Sequence, residues 1–182
     1  IEAGEWSGWD DPRLPTIATM KRRGIQSQAL RDFWIELGLT QKDISVPLAT
    51  LFSHNTKIID SSAPRLSFVR DPVELELSHG SFPPISLIEL ASHPSSQLGQ
   101  REINVIWRDA STPLIIERTD MDSYDSGLRL KEWCDISAPS NGHSSILSLD
   151  SGGECPIIHW LPTDSPPAIL LKPEGSELKV IS

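Results

Sequence analysis

A chain of 182 residues with 38% apolar content and 15 prolines suits one ordinary domain or two small ones, and excludes a single large helical bundle. No apolar stretch approaches the roughly 18 residues that a membrane-crossing helix needs, so no membrane partner is expected. The net charge of −9 excludes a general attraction to nucleic acid, but it is unevenly placed: residues 1–65 carry eight basic and eight acidic side chains, and residues 66–182 carry eight and seventeen. The neutral part, with its clustered arginines, can touch phosphate. The acidic part needs specific local contacts to do so.

The start, Ile1-Glu2-Ala3-Gly4-Glu5, has neither the basic nor the apolar segment of a signal peptide, and it opens in mid-pattern without a methionine, as a fragment would. Pro15-Thr16 predicts the opening of a short helix through Ile17 and Met20 to Lys21-Arg22-Arg23. Gly24 supplies its stop, and the basic last turn complements the helix dipole. Ser27 reads as the N-cap of a second helix. Leu30, Phe33, Trp34 and Leu37 recur on one face of it, and Gly38 ends it. Thr40 and Asp43 have the spacing of a capping box, and Pro47 suits the first turn of a third helix. Leu48, Leu51, Phe52, Asn55, Ile58 and Ile59 lie along that helix, which should end near Asp60-Ser61-Ser62.

From Ala63-Pro64 the texture changes to short β-branched or alternating runs: 66–69, 73–77, 85–90, 103–107, 114–117, 128–130, 145–149, 157–161, 168–171 and 178–181. Turn formers such as Ser78-His79-Gly80, Ser140-Asn141-Gly142 and Ser151-Gly152-Gly153 separate them, a pattern that predicts a β-barrel or sandwich. Trp6 and Trp34 are core candidates, as are Trp107, Trp133 and Trp160, although one exposed tryptophan would offer a base a stacking platform. Cys134 and Cys155 belong to no C-x-x-C pair and read as two reduced thiols; the four spaced ligands of a structural zinc are missing. No P-loop, G-x-G-x-x-G, G-x-S-x-G or H-E-x-x-H motif occurs, and the five histidines are scattered, so neither catalytic nor metal-binding residues are expected.

Gly8-Trp9-Asp10-Asp11-Pro12-Arg13-Leu14-Pro15-Thr16, followed by Lys21-Arg22-Arg23-Gly24, resembles the G-W-D-D-P-R-x-P-T…R-R-R-G stretch of archaeal and eukaryotic glutamyl-tRNA synthetases and of glutaminyl-tRNA synthetases. The likeness continues in order through Gly38-Leu39-Thr40-Gln41-Lys42-Asp43, Ser62-Ala63-Pro64-Arg65, Asp71-Pro72-Val73, His93-Pro94, Leu98-Gly99-Gln100-Arg101 and Ile158-His159-Trp160-Leu161. The stretch from Leu48 to Asp60, which resembles the glutamyl pattern L-x-x-x-N-x-K-x-I-D, and the short connection after Arg118 resemble the glutamyl branch more than the glutaminyl one.

The resemblance implies an α+β fold: a helical stem-contact region over 1–65, then a mostly antiparallel anticodon-binding region over 66–182. That second region would be two small intertwined barrels whose last strands are missing. It implies the tRNA-recognising part of an enzyme that ligates glutamate to tRNA(Glu) with ATP and Mg²⁺ in the cytoplasm. The nucleotide-binding domain would lie outside this stretch, leaving the stretch inactive alone and without a cofactor. tRNA(Glu), with tRNA(Gln) as a second candidate, and the protein's own catalytic domain are the implied partners. A glutaminyl enzyme and a free-standing RNA-binding module are the alternatives.

By the same resemblance Arg65 matches an arginine that contacts anticodon bases, although a domain-bridging arginine is the other reading. Gln41 and Lys42 match a polar pair facing the tRNA near the anticodon stem, against a solvated helix start. Arg22 or Arg23 would touch phosphate, against a charged helix end. Trp9, Asp10, Asp11 and Arg13 would fix loop architecture through an Asp-Arg pair with tryptophan packing. Asp120 to Ser126 replaces a basic loop of related enzymes with an acidic one, where Tyr124 remains able to stack on a base.

Overall fold

The computed structural model describes residues 5–38, 45–122, 127–150 and 154–182. It divides into two compact units, residues 1–63 with 169–181 and residues 64–168 with 182. The terminal hairpin, which the sequence reading leaves with the β region, thus groups with the helices. No described helix is long and apolar enough to cross a membrane.

The first unit holds α1 (Ile17–Arg22), α2 (Ser27–Leu37) and α3 (Leu48–Ile59). Thr16 caps α1, its Oγ1 accepting from Thr19 N at 3.0 Å, and Gly24 at φ +78° ends it. Ser27 is not the cap of α2 but its first helical residue. The capping position is Gln26, whose N–H donates to Asn55 Oδ1 at 2.8 Å while Asn55 Nδ2 donates to Gly24 O at 3.2 Å. One side chain on α3 thereby satisfies both ends of the α1–α2 turn. Ala29 and Phe33 of α2 and Leu51 of α3 are buried, whereas Trp34 is 62% exposed, a correction to its reading as core. Adjacent helical residues lie about 100° apart, so with Phe33 buried Trp34 is turned outward, edge-on to the Phe33 ring at 5.5 Å. A hairpin of β10 (Leu170–Glu174) and β11 (Glu177–Ile181) completes the unit.

In the second unit, β1 (Pro72–Ser78), β4 (Ser111–Glu117), β5 (Leu128–Leu130), β6 (Asp135–Ile136), β7 (His143–Ser148), β8 (Ile157–Ile158) and β9 (Leu161–Pro162) form one curled row, a half-barrel in the order β8-β5-β6-β7-β1-β4-β9. β2 (Leu87–Ala91) and β3 (Gln100–Asn104) pair separately. Most pairings are antiparallel, but β1 with β7 and β5 with β8 are parallel. α4 (Arg118–Asp122) follows β4. Leu75 and Leu77 alternate inward along β1, with Leu114 and Ile116 on its partner, and Ile88, Leu90 and Val105 bring the β2–β3 pair into the same core. Trp133 and Trp160 lie at its centre with ring centroids 4.8 Å apart, and Trp107 packs on it, as the sequence predicts.

Several strand expectations need correction. Residues 66–69 form no strand, and 157–161 breaks into β8 and β9, which lie at opposite ends of the row. β3 begins three residues before the expected 103–107, and β6 carries no run long enough to read from sequence. At Ser140-Asn141-Gly142 the expected turn is present: Asn141 and Gly142 sit at φ +50° and +77°, as a two-residue hairpin loop of the primed type requires. Cys134 and Cys155 are free thiols, and burial pushes the Cys134 thiol up to about 12.

Candidate nucleic-acid interface

In the first unit, residues 5–16 wrap around Asp11, which is fully buried. Its carboxylate accepts from Ser7 N and Oγ at 3.0 and 3.1 Å and from Arg13 N, Nε and Nη2 at 3.0, 2.9 and 2.8 Å. Arg13 also donates to Glu5 O and to Ser176 O of the hairpin turn, and its guanidinium stacks 4.6 Å from the Trp6 ring centre. The expected Asp-Arg pair with tryptophan packing is therefore Asp11, Arg13 and Trp6. Trp9 is 73% exposed and takes no part. The Arg13 side chain, with the Ser7 N–H behind it, holds the Asp11 carboxyl well below the usual carboxylate range, and Asp11 in turn raises Arg13.

A group whose pKa is depressed by folding stabilises fully above its unfolded value and loses that contribution as pH falls below it. Asp11→Asn should therefore lower the thermal midpoint at pH 7 by roughly 4–8 °C. The gap from wild type should close as pH drops below about 4. Equal midpoints at pH 7 would show that this network contributes nothing in solution.

This loop steers the basic end of α1. Arg22 Nη1 donates to Asp10 O and Oδ2, both at 3.3 Å, and stays exposed. Arg23 is half-buried, its guanidinium 5.2 Å from the Phe52 ring centre. Lys21 is exposed. Successive helical positions point these three side chains apart, so Arg22 and Lys21 keep outward faces fit for phosphate while Arg23 mostly braces α1 on α3.

In the second unit, Arg65 is exposed, and its backbone N–H donates to Ser92 O at 2.7 Å. That bond fixes Arg65 beside the turn leaving β2. In the turn, Ser92 N donates to Gly99 O at 3.0 Å and His93 Nδ1 accepts from Ser95 N at 2.9 Å. Ala91, His93, Pro94, Gly99 and Gln100 line an open recess of about 380 Å³ there. Arg65 leaves the chain next to this turn, and a guanidinium has the chemistry to read an unstacked base. Gln41, Lys42 and Tyr124 lie outside the described residues.

A larger cleft of about 780 Å³ lies between β1 and β7 and carries Glu74, Glu76 and a row of serines, with Ser111 Oγ donating to Glu76 Oε1. Its charge repels phosphate. Beside α4, burial first and Glu117 second raise the Asp120 carboxyl, while Arg70 holds Glu117 low. Among the described residues no group of three or more His, Cys, Asp or Glu has the geometry to hold a metal ion. Sequence reasoning passed over Arg101 and His93 as site residues, although both stand in quoted motifs. The available signal was positional, since an arginine at an inward point of a strand's alternation needs a reason.

Residues 63–149 match the family model described as tRNA synthetases class I (E and Q), anti-codon binding domain. Over 96% of its length the chain is 39% identical to the glutamate–tRNA ligases of Methanosarcina acetivorans and Methanosarcina barkeri, and over 99% it is 33% identical to that of Pyrococcus abyssi. It spans 31% of the length of the first two relatives and 32% of the third.

Proposed function

We propose that the chain belongs to the class I (E and Q) tRNA synthetase family, whose anticodon-binding domain residues 63–149 match, and that it is the tRNA-recognising part of a glutamate–tRNA ligase. The observation that supports the glutamyl reading is identity to glutamate ligases running through both units, including the helical one that the domain match leaves out. Arg65 at the β2 turn supplies base contact. Lys21 and Arg22 at the end of α1 supply phosphate contact, and Gln41, Lys42, Arg23 and Tyr124 are further candidates.

In the longer protein, ATP with Mg²⁺ would drive the joining of glutamate to tRNA(Glu) in the cytoplasm, on a catalytic domain that this chain partners. The chain's own residues do not fit that chemistry: its sequence has no nucleotide-binding motif, and the described residues offer no acidic cluster for a divalent ion. Its contribution is register and recognition, and alone it should form no glutamyl-tRNA.

The test is a titration of the chain against glutamate, glutamine and unrelated tRNAs at fixed salt, with Arg65→Ala alongside. The expected result is anticodon-dependent binding of glutamate tRNA, weakened in the variant by about 1–3 kcal/mol. Binding indifferent to the anticodon would refute the reading.

A further inference from the structure

Of the arginines in the second unit, Arg70 faces Glu117, Arg118 faces Asp71 and Arg129 faces Asp135. Arg65 and Arg108 are exposed to water. Arg101 has neither arrangement. It lies on β3 opposite Leu90, on the inward side of the strand with Ile103, and is half-buried. Its Nε–H is closed off from solvent and meets no acceptor, and its guanidinium makes no ion pair among the described residues. Glu132 reaches the same strand end, but its carboxylate accepts the Ala91 N–H at 2.5 Å instead. A second orphan donor occupies the adjoining turn. His93 is 8% exposed, and its Nδ1 already accepts from Ser95, so the proton of the neutral ring resides on Nε2. That Nε2 is buried without a partner among the described residues.

Buried donors without acceptors lower stability, and native folds keep few of them without a use. Two such donors at one end of one hairpin, beside the recess lined by His93, Gly99 and Gln100 and next to the Arg65 backbone, point to a missing acceptor. We propose that Arg101 and His93 form a nucleotide-binding corner, in which both side chains adjust to donate to an acceptor oxygen of a looped-out RNA nucleotide. Arg101 is then a second recognition residue beside Arg65, and His93 positions the same group. This rests on the tRNA-binding reading above. A base carbonyl and a phosphate oxygen offer the same acceptor chemistry.

Arg101→Met keeps the aliphatic stem and removes the donors. His93→Asn keeps an acceptor for Ser95 and removes Nε2–H. Both are measured in the 182-residue chain against transcribed glutamate tRNA, with thermal melts of each protein. Arg101→Met should weaken binding roughly tenfold or more while its melting midpoint stays equal to or above wild type, because the lost donors had no partner. His93→Asn should weaken binding in the same direction. A salt dependence of log K shallower by about 0.7 marks a phosphate contact, whereas reduced discrimination among anticodon variants marks a base contact. Wild-type binding that both variants retain overturns this inference alone. So does a loss of affinity that merely follows a fall in melting midpoint. A wild-type chain with no affinity for glutamate tRNA overturns the tRNA-binding reading, and this one with it.

Discussion

Replacing Asp135 with alanine should cost the second unit about 3–5 kcal/mol, because it strands a buried guanidinium. Arg129 Nη1 donates to Asp135 Oδ1 at 2.7 Å and to Asp150 O at 2.8 Å, and the two side chains are 10% and 9% exposed. Leu128 and Leu130 flank Arg129 and are wholly buried, so water cannot replace the lost carboxylate without opening the β5–β6 pairing. Urea unfolding followed by tryptophan fluorescence measures the loss. The double replacement Arg129→Met with Asp135→Leu should recover most of it, since removing both charges also removes their desolvation cost. An alanine variant within about 1 kcal/mol of wild type would instead place the pair in contact with water, as exposed ion pairs contribute no more than that.

Trp160→Ala should be as damaging, by about 3–5 kcal/mol. Trp160 is 1% exposed, packs against Trp133 with ring centroids 4.8 Å apart and planes tilted by 44°, and donates from Nε1 to Lys131 O at 3.1 Å. Its removal leaves a void at the centre of the core that the seven-strand row and the β2–β3 pair share, and the carbonyl of Lys131 loses its donor. Trp160→Phe separates the two contributions: it fills most of the volume and loses the hydrogen bond, for a smaller cost of about 1 kcal/mol. The near-ultraviolet circular dichroism of the tryptophan cluster should collapse in the alanine variant and persist in the phenylalanine one. If alanine leaves both the signal and the midpoint unchanged, Trp160 is not the centre of this core.

The three helices were legible because local signals agree there. Thr16, Gly24, Pro47 and the spacing of Phe33 with Leu37 each fix a boundary or a face without reference to distant residues. The strands were legible only as a texture. Residues 66–69 have a strand-like composition yet form none, and β6 has two residues yet joins the row, because pairing depends on partners far along the chain. The same limit applies to the site. The Asp-Arg pair was readable from D-D-P-R, but nothing local says that Trp6 rather than Trp9 lies under Arg13, or that Trp34 turns away from the helix contact.

By itself the sequence determined the likeness to class I glutamyl and glutaminyl synthetases, the helical lead-in, the change to β structure after Ala63 and the absence of any nucleotide-binding motif. These depend on motifs, periodicity and caps, all written within a few residues. Only the tertiary structure decided which side chains lack partners. Arg101 and Arg129 are both arginines inside short strands, but Arg129 meets Asp135 across a β pairing while the Nε of Arg101 finds no acceptor among the described residues. Whether a buried donor is satisfied is a property of the surrounding atoms, and residues brought together across the fold supply those atoms.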